Sequence, residues 1–192
     1  MDELRSILSE YSFEPWNRFT AGLIAALFVA RGLDFLSTWI VTPTLKLEAN
    51  PLMRRVRWGW MTVLNLPLLG LPFLHHGLAI TFIVTSLLVA GANLSGGALS
   101  RGMGEGRQLQ RQQEALRRIG LVGALGMNTA GMLVVGIGGL FIMALTGGES
   151  DRVWWGGLGV VMYGVSGLVH FNWAILRLHR AGRRSGQNPA RP

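Results

Sequence analysis

Apolar residues run in long blocks along this chain, separated by charged or glycine-rich stretches. The blocks cover about residues 19–43, 60–74, 77–94, 119–146 and 153–176. A bilayer core roughly 30 Å thick takes roughly 20 consecutive apolar residues in a helix, and most of these blocks meet or approach that length. The second is shorter and holds Pro67 and Pro72. Only His75 and His76 part it from the third, so the two predict a tight hairpin. No block alternates as a barrel strand would, and backbone polar groups in lipid must be satisfied within the segment. The pattern predicts an all-α polytopic membrane protein, a bundle of five transmembrane helices within residues 19–178.

The flanks carry weaker patterns. Leu4, Ile7, Leu8 and Tyr11 recur at helical spacing. They predict an amphipathic helix over residues 1–18, lying on the outer membrane surface or docked as a terminal helix. This stretch is polar and acidic and does not read as a cleavable signal peptide. Residues 179–192 predict a mobile basic tail.

Composition sharpens the class. Hydrophobic residues make up 49% of the chain and charged residues only 15%, against about 25% charged in a soluble domain. That excludes a disordered chain, a coiled coil and an ordinary water-soluble enzyme. Cysteine is absent, so no disulfide, thiolate metal site or cysteine nucleophile is available. The net charge of +8 suggests a nucleic-acid binder until its placement is read. Arg5, Arg18 and Arg152 fall on one side of the predicted spans. Fourteen others, among them Lys46, Arg54, Arg55, Arg57, Arg101, Arg107, Arg111, Arg117 and Arg118, fall on the opposite side. The positive-inside rule then predicts an outer N-terminus, a cytoplasmic C-terminus and residence in the cell's inner (plasma) membrane. All seven tryptophans lie near span ends, as an aromatic belt requires. The expected partner of the basic loops is a surface of anionic lipid headgroups, not nucleic acid.

Polar groups inside a span are costly and need a partner or a purpose. Arg31 and Asp34 share one face of the first helix, with Thr38 one turn further. They form either a self-neutralising pair that locks the bundle or an ion, proton or headgroup site. Pro43 ends the helix, and Glu48 and Asn50, just before Pro51, fall at the cytoplasmic mouth. Glu48 serves there as a cap, as a salt-bridge partner of Arg54 or Arg55, or as part of a site. Depth along the helices then gathers Asn65, Asn93, Asn128 with Thr129, His170 and Asn172 in the inner half. Such residues are structural glue between helices or the lining of a polar pocket open to the cytoplasm. The pocket is the favoured expectation, formed by Arg31, Asp34, Thr38, Glu48, Asn50, Asn65, Asn93, Asn128 and His170.

Sharper chemistry finds less support. Asp34, Glu48 and His170 could complete a two-carboxylate, one-histidine metal site only if packing brings them together, and a lone histidine cannot hold zinc. His170 could also ligate a haem or chlorin, though no second histidine lies at its depth, and no cofactor is assigned. Gly164-Val165-Ser166-Gly167 resembles the Gly-x-Ser-Gly nucleophile motif of rhomboid intramembrane proteases over four residues. His170 lies four residues on along the same helix, a poor placement for a base. The glycines crowding the fourth and fifth spans predict tight packing between them or a homo-oligomer seam, and possible contact with another membrane protein.

Asp34-x-x-Ser37-Thr38 followed by Glu48-Ala49-Asn50-Pro51-Leu52 resembles a pattern in uncharacterised small bacterial and archaeal membrane proteins. The resemblance covers residues 30–66 and implies that Asp34, Glu48 and Asn50 act together. It carries no activity. Three function classes remain, in this order: binding or transport of a small ligand or ion, a scaffold or accessory subunit, and a membrane-embedded hydrolase or lipid-modifying enzyme.

Overall fold

The computed structural model describes residues 16–45, 48 and 58–186. The described residues form helices and connecting turns. In chain order the helices are α1 (Arg18–Val41), α2 (Trp58–Asn65), α3 (Leu71–Leu74), α4 (His76–Met103), α5 (Glu105–Ile119), α6 (Leu121–Ala144) and α7 (Arg152–Gly186). Four stretches are long and apolar enough to cross a membrane: Arg18–Val41, His76–Ser95, Leu121–Ala144 and Arg152–Arg183. The proposed outer helix over residues 1–18 lies almost wholly outside the described residues, as does Asn50.

Local chemistry sets the element ends. Asn17 caps α1, its Oδ1 accepting from the Thr20 amide at 2.9 Å. Pro43 cannot continue the helix, and the last α1 carbonyls are met by the Thr42 amide bonding Thr38 O. The second apolar block is interrupted. Pro67 and Pro72 each sit at the start of a short helical piece, leaving α2, a 3-10 turn over Leu66–Gly70, and α3. His75 then adopts an extended conformation and accepts from the Gly77 amide through Nδ1 at 3.0 Å, capping α4. The predicted interfacial turn is thus also a helix cap.

Side-chain contacts give each helix its direction. The segment Trp58–Leu74 runs back along α1. Trp58 Nε1 donates to Pro43 O at 3.1 Å, Arg31 bonds Asn65, and Phe73 stacks on Trp16 at 5.7 Å. His76 Nε2 meets the Thr20 hydroxyl at 3.0 Å and Asn93 meets Thr38, so α4 runs parallel to α1. Thr81 and Thr85 donate to the carbonyls of Trp155 and Gly159, each at 3.0 Å, so α7 runs parallel to α4. The α6 helix returns antiparallel against α7. A Cβ on Gly139 would lie 2.7 Å from Gly157 O, and one on Gly164 would lie 2.9 Å from Met132 O. The glycine seam therefore joins α6 to α7 within one chain.

The interior is thin and mixed. Leu23, Leu27, Ala30, Ala79 and Ala90 are buried, and so are Thr20, Ser37, Thr38, Thr81 and Ser86. Small residues let backbones approach, and hydroxyls bond across helices. Large apolar side chains point outward instead, including Phe28, Met127, Val134, Ile137 and Phe141. An apolar exterior over a small, partly polar interior suits lipid as the surrounding solvent.

Two expected boundaries move. The basic stretch between the third and fourth blocks contains a helix of its own, α5. Gly104 and Gly120 bracket it at φ 77° and 78°, a backbone conformation that glycine adopts without a Cβ clash. The α7 helix continues through Gly186, so residues 179–186 of the expected mobile tail are helical. Leu178 and Gly182 there line a cleft shared with α5, which gives the extension something to pack on.

Candidate functional site: a polar cavity between four helices

Arg31 is the hub. Its Nη1 donates to Asp34 Oδ2 at 2.7 Å and to Ser86 Oγ at 3.1 Å, and its Nη2 donates to Asn65 Oδ1. The guanidinium carbon also sits 5.7 Å from the Phe35 ring centroid. One cation on α1 therefore ties α2 and α4 to its own helix. Asp34 follows three residues on, one turn along the same face, where a carboxylate can neutralise it. The pair is largely buried, with 21% and 15% of the two side chains exposed. Arg31 Nε is buried with no hydrogen-bond partner among the described residues.

A second network lies one turn deeper into the basic end. Asn93 Nδ2 donates to Ser37 Oγ at 3.2 Å and to Thr38 Oγ1 at 3.0 Å. Ser37 in turn donates to the Asp34 carbonyl at 2.8 Å. These bonds bind α4 to α1 and satisfy polar groups that lipid could not.

Between these networks and α7 lies a partly enclosed cavity of about 320 Å³. Arg31, Asp34, Thr38, Glu48, Asn65, Asn93 and His170 all line it. Thr42, Thr85, Tyr163 and Ser166 add further hydroxyls, and Phe35, Val41, Val89 and Phe171 supply apolar wall. Asn128 is elsewhere. Its Nδ2 donates to Asn172 Oδ1 at 2.8 Å, and Asn172 Nδ2 donates to Thr129 Oγ1 at 3.2 Å. Those residues bridge α6 to α7, so this asparagine pair joins helices without lining the cavity.

The sequence reading passed over Thr85 and Ser86. Their signal was available: Thr81 and Thr85 are one turn apart on the α4 face toward α7, and Ser86 and Asn93 are two turns apart on the face toward α1.

The mouth of the cavity is tethered from two sides. Thr44 donates through its amide to Glu105 Oε1 at 3.0 Å and through its hydroxyl to Glu105 Oε2, joining the turn after α1 to the start of α5. Arg177 Nη1 donates to the Glu48 carbonyl at 3.0 Å, joining the same loop to α7. Leu45, buried between them, holds φ at 58°, strained for a side-chain-bearing residue. Glu48 is thereby held where it lines the cavity.

Asp34 Oδ1 has no partner among the described residues, so the carboxylate keeps acceptor capacity. Ser166 Oγ and His170 Nδ1 lie 3.0 Å apart, one turn apart on α7. A nucleophile–base pair needs a third group to orient its histidine. Among the described residues, none bonds the other ring nitrogen. Gly164 and Gly167, which flank Ser166, press on Met132 of α6. Packing therefore accounts for the Gly-x-Ser-Gly string. Asp34, Glu48 and His170 share the cavity, yet no group of three such ligands among the described residues could hold a metal ion. No family model, curated protein or solved structure matches this chain.

Proposed function

We propose that this chain is a five-pass plasma-membrane protein whose cavity, in the cytoplasmic half, binds a small polar ligand or ion and passes it on. Convergence carries this reading: polar residues on α1, α2, α4 and α7, and on the loop after α1, meet in one cavity. Helix glue alone requires pairs, as in Asn128 with Asn172, and not a set with spare capacity facing a shared space. The lining can both donate and accept, through Asp34, Tyr163, Ser166 and His170, while apolar walls limit the ligand's size.

The fifth pass is Trp58–Leu74, which follows α1 from the Pro43 level to the Trp16 level despite its broken helix. Helix direction supports an outer N-terminus. The end where α1, α4 and α7 finish carries Arg107, Arg111, Arg117, Arg118, Arg177, Arg180 and Arg183, whereas Arg18 and Arg152 sit at the other. A periplasm-dependent phosphatase fused after residue 192 should be inactive, and activity there would reverse the orientation.

Native mass spectrometry of nanodisc-embedded protein tests the binding reading. The wild type should carry a bound small species that Asp34→Asn loses while its helical circular dichroism is unchanged. A bare subunit in the wild type, or the same adduct in both proteins, would reduce the cavity to a packing defect.

A further inference from the structure

A second cleft, of about 310 Å³, opens between α5 and the last turns of α7. Arg117 and Gln113 of α5 line one side, and His179 and Arg183 of α7 line the other. No acidic side chain among the described residues lines it. Among the described residues, the side chains of Arg117, His179 and Arg183 have no hydrogen-bond or ion-pair partner. Two arginines from different helices facing one space repel each other, and a bound anion would relieve that repulsion. The guanidinium fork matches phosphate oxygens better than any other basic side chain.

The rest of the lining is apolar. Leu116, Leu121 and Leu178 line the cleft beside the cations. Just beyond it, Ile119 is 50% exposed and Val122 is 83% exposed, at the point where α6 enters its apolar span. Cations above and bare apolar surface below fit an amphiphile, with a phosphate at the surface and hydrocarbon alongside α6. We infer that the α5–α7 cleft is a discrete headgroup site for an anionic phospholipid. This site is separate from the polar cavity and does not depend on its function. It turns a general attraction of basic loops for anionic lipid into a site with a fixed address.

The test uses the full chain in vesicles of phosphatidylcholine, with and without one-fifth phosphatidylglycerol, extracted gently for native mass spectrometry. The wild type should retain phosphatidylglycerol in preference to phosphatidylcholine. Arg117→Gln/Arg183→Gln should lower that retention by at least about fivefold, because both guanidinium forks that would hold the phosphate are lost. Arg107→Gln/Arg111→Gln, with the same charge change on α5, should leave it within about twofold, because neither residue lines the cleft. No lipid preference in the wild type would overturn the assignment. Equal losses in the two double variants would also overturn it, because the effect would then be diffuse surface charge. A parallel arm adds millimolar inorganic phosphate to protein in neutral lipid. Phosphate adducts there, without phosphatidylglycerol retention in the other arm, would show a site for free phosphate and refute the lipid.

Discussion

The Arg31–Asp34 pair makes a quantitative prediction about stability. Arg31→Met removes the ion pair, the bonds to Ser86 and Asn65, and the contact with Phe35. It leaves Asp34, only 15% exposed, without its cation. Orphaning one member of a buried pair costs about 3–5 kcal/mol. Interhelical hydrogen bonds in membranes average about 0.6 kcal/mol each, because the unfolded state in lipid finds other partners. A loss of about 4 kcal/mol is expected for Arg31→Met. Asp34→Leu should cost less, about 2–3 kcal/mol, because Arg31 keeps Ser86 and Asn65. The double variant should cost about 2 kcal/mol or less beyond wild type, since two apolar residues replace two charges that no longer require each other. The coupling energy is then several kcal/mol. The assay is reversible unfolding in mixed micelles by dodecyl sulfate titration, followed by tryptophan fluorescence and circular dichroism. Additivity within about 0.5 kcal/mol would mean the two residues act independently, and Arg31 would lose its place as hub. Asp34→Leu costing more than Arg31→Met would refute the contact ranking on which the hub rests.

Three further variants probe the α6–α7 seam. Gly164→Ala would put a Cβ 2.9 Å from Met132 O, so it should destabilise by about 1–3 kcal/mol in the same titration. Gly126→Ala, with nothing within 4 Å, should be neutral or slightly stabilising. Asn128→Leu should cost roughly 0.6–2 kcal/mol yet leave any cavity adduct intact in native mass spectra. Loss of the adduct would place Asn128 in the ligand's path after all.

Much of this molecule was legible from residue order. A helix advances by a fixed rise, so position along a span converts directly to depth. Position along the spans gathered Asn65, Asn93, Asn128 and His170 in one half; Asn65, Asn93 and His170 share the cavity with Arg31, Asp34 and Thr38, and Asn128 does not. The second block reads as one span over residues 60–74, and the structure divides it at Pro67 and Pro72. The extent of α7 was less legible. Its charged last turns resembled a tail because what they pack on, the α5 helix, lies some sixty residues earlier in the chain.

The sequence by itself marked the long apolar segments and the positions of the polar groups along them. Only the tertiary structure decided which way each group turns about its helix axis. These spans are apolar on nearly every side, so no amphipathic face aims them before they meet. Packing supplied the rotation. Close glycine contacts seated α6 on α7, which turned Asn128 toward Asn172 and away from the cavity. Hydroxyl bonds seated α4 between α1 and α7, which brought Ser86 to Arg31 and Thr85 to the cavity wall. Two asparagines at similar depth, Asn93 and Asn128, thereby ended in different roles, because depth is written along one chain and azimuth arises only between helices.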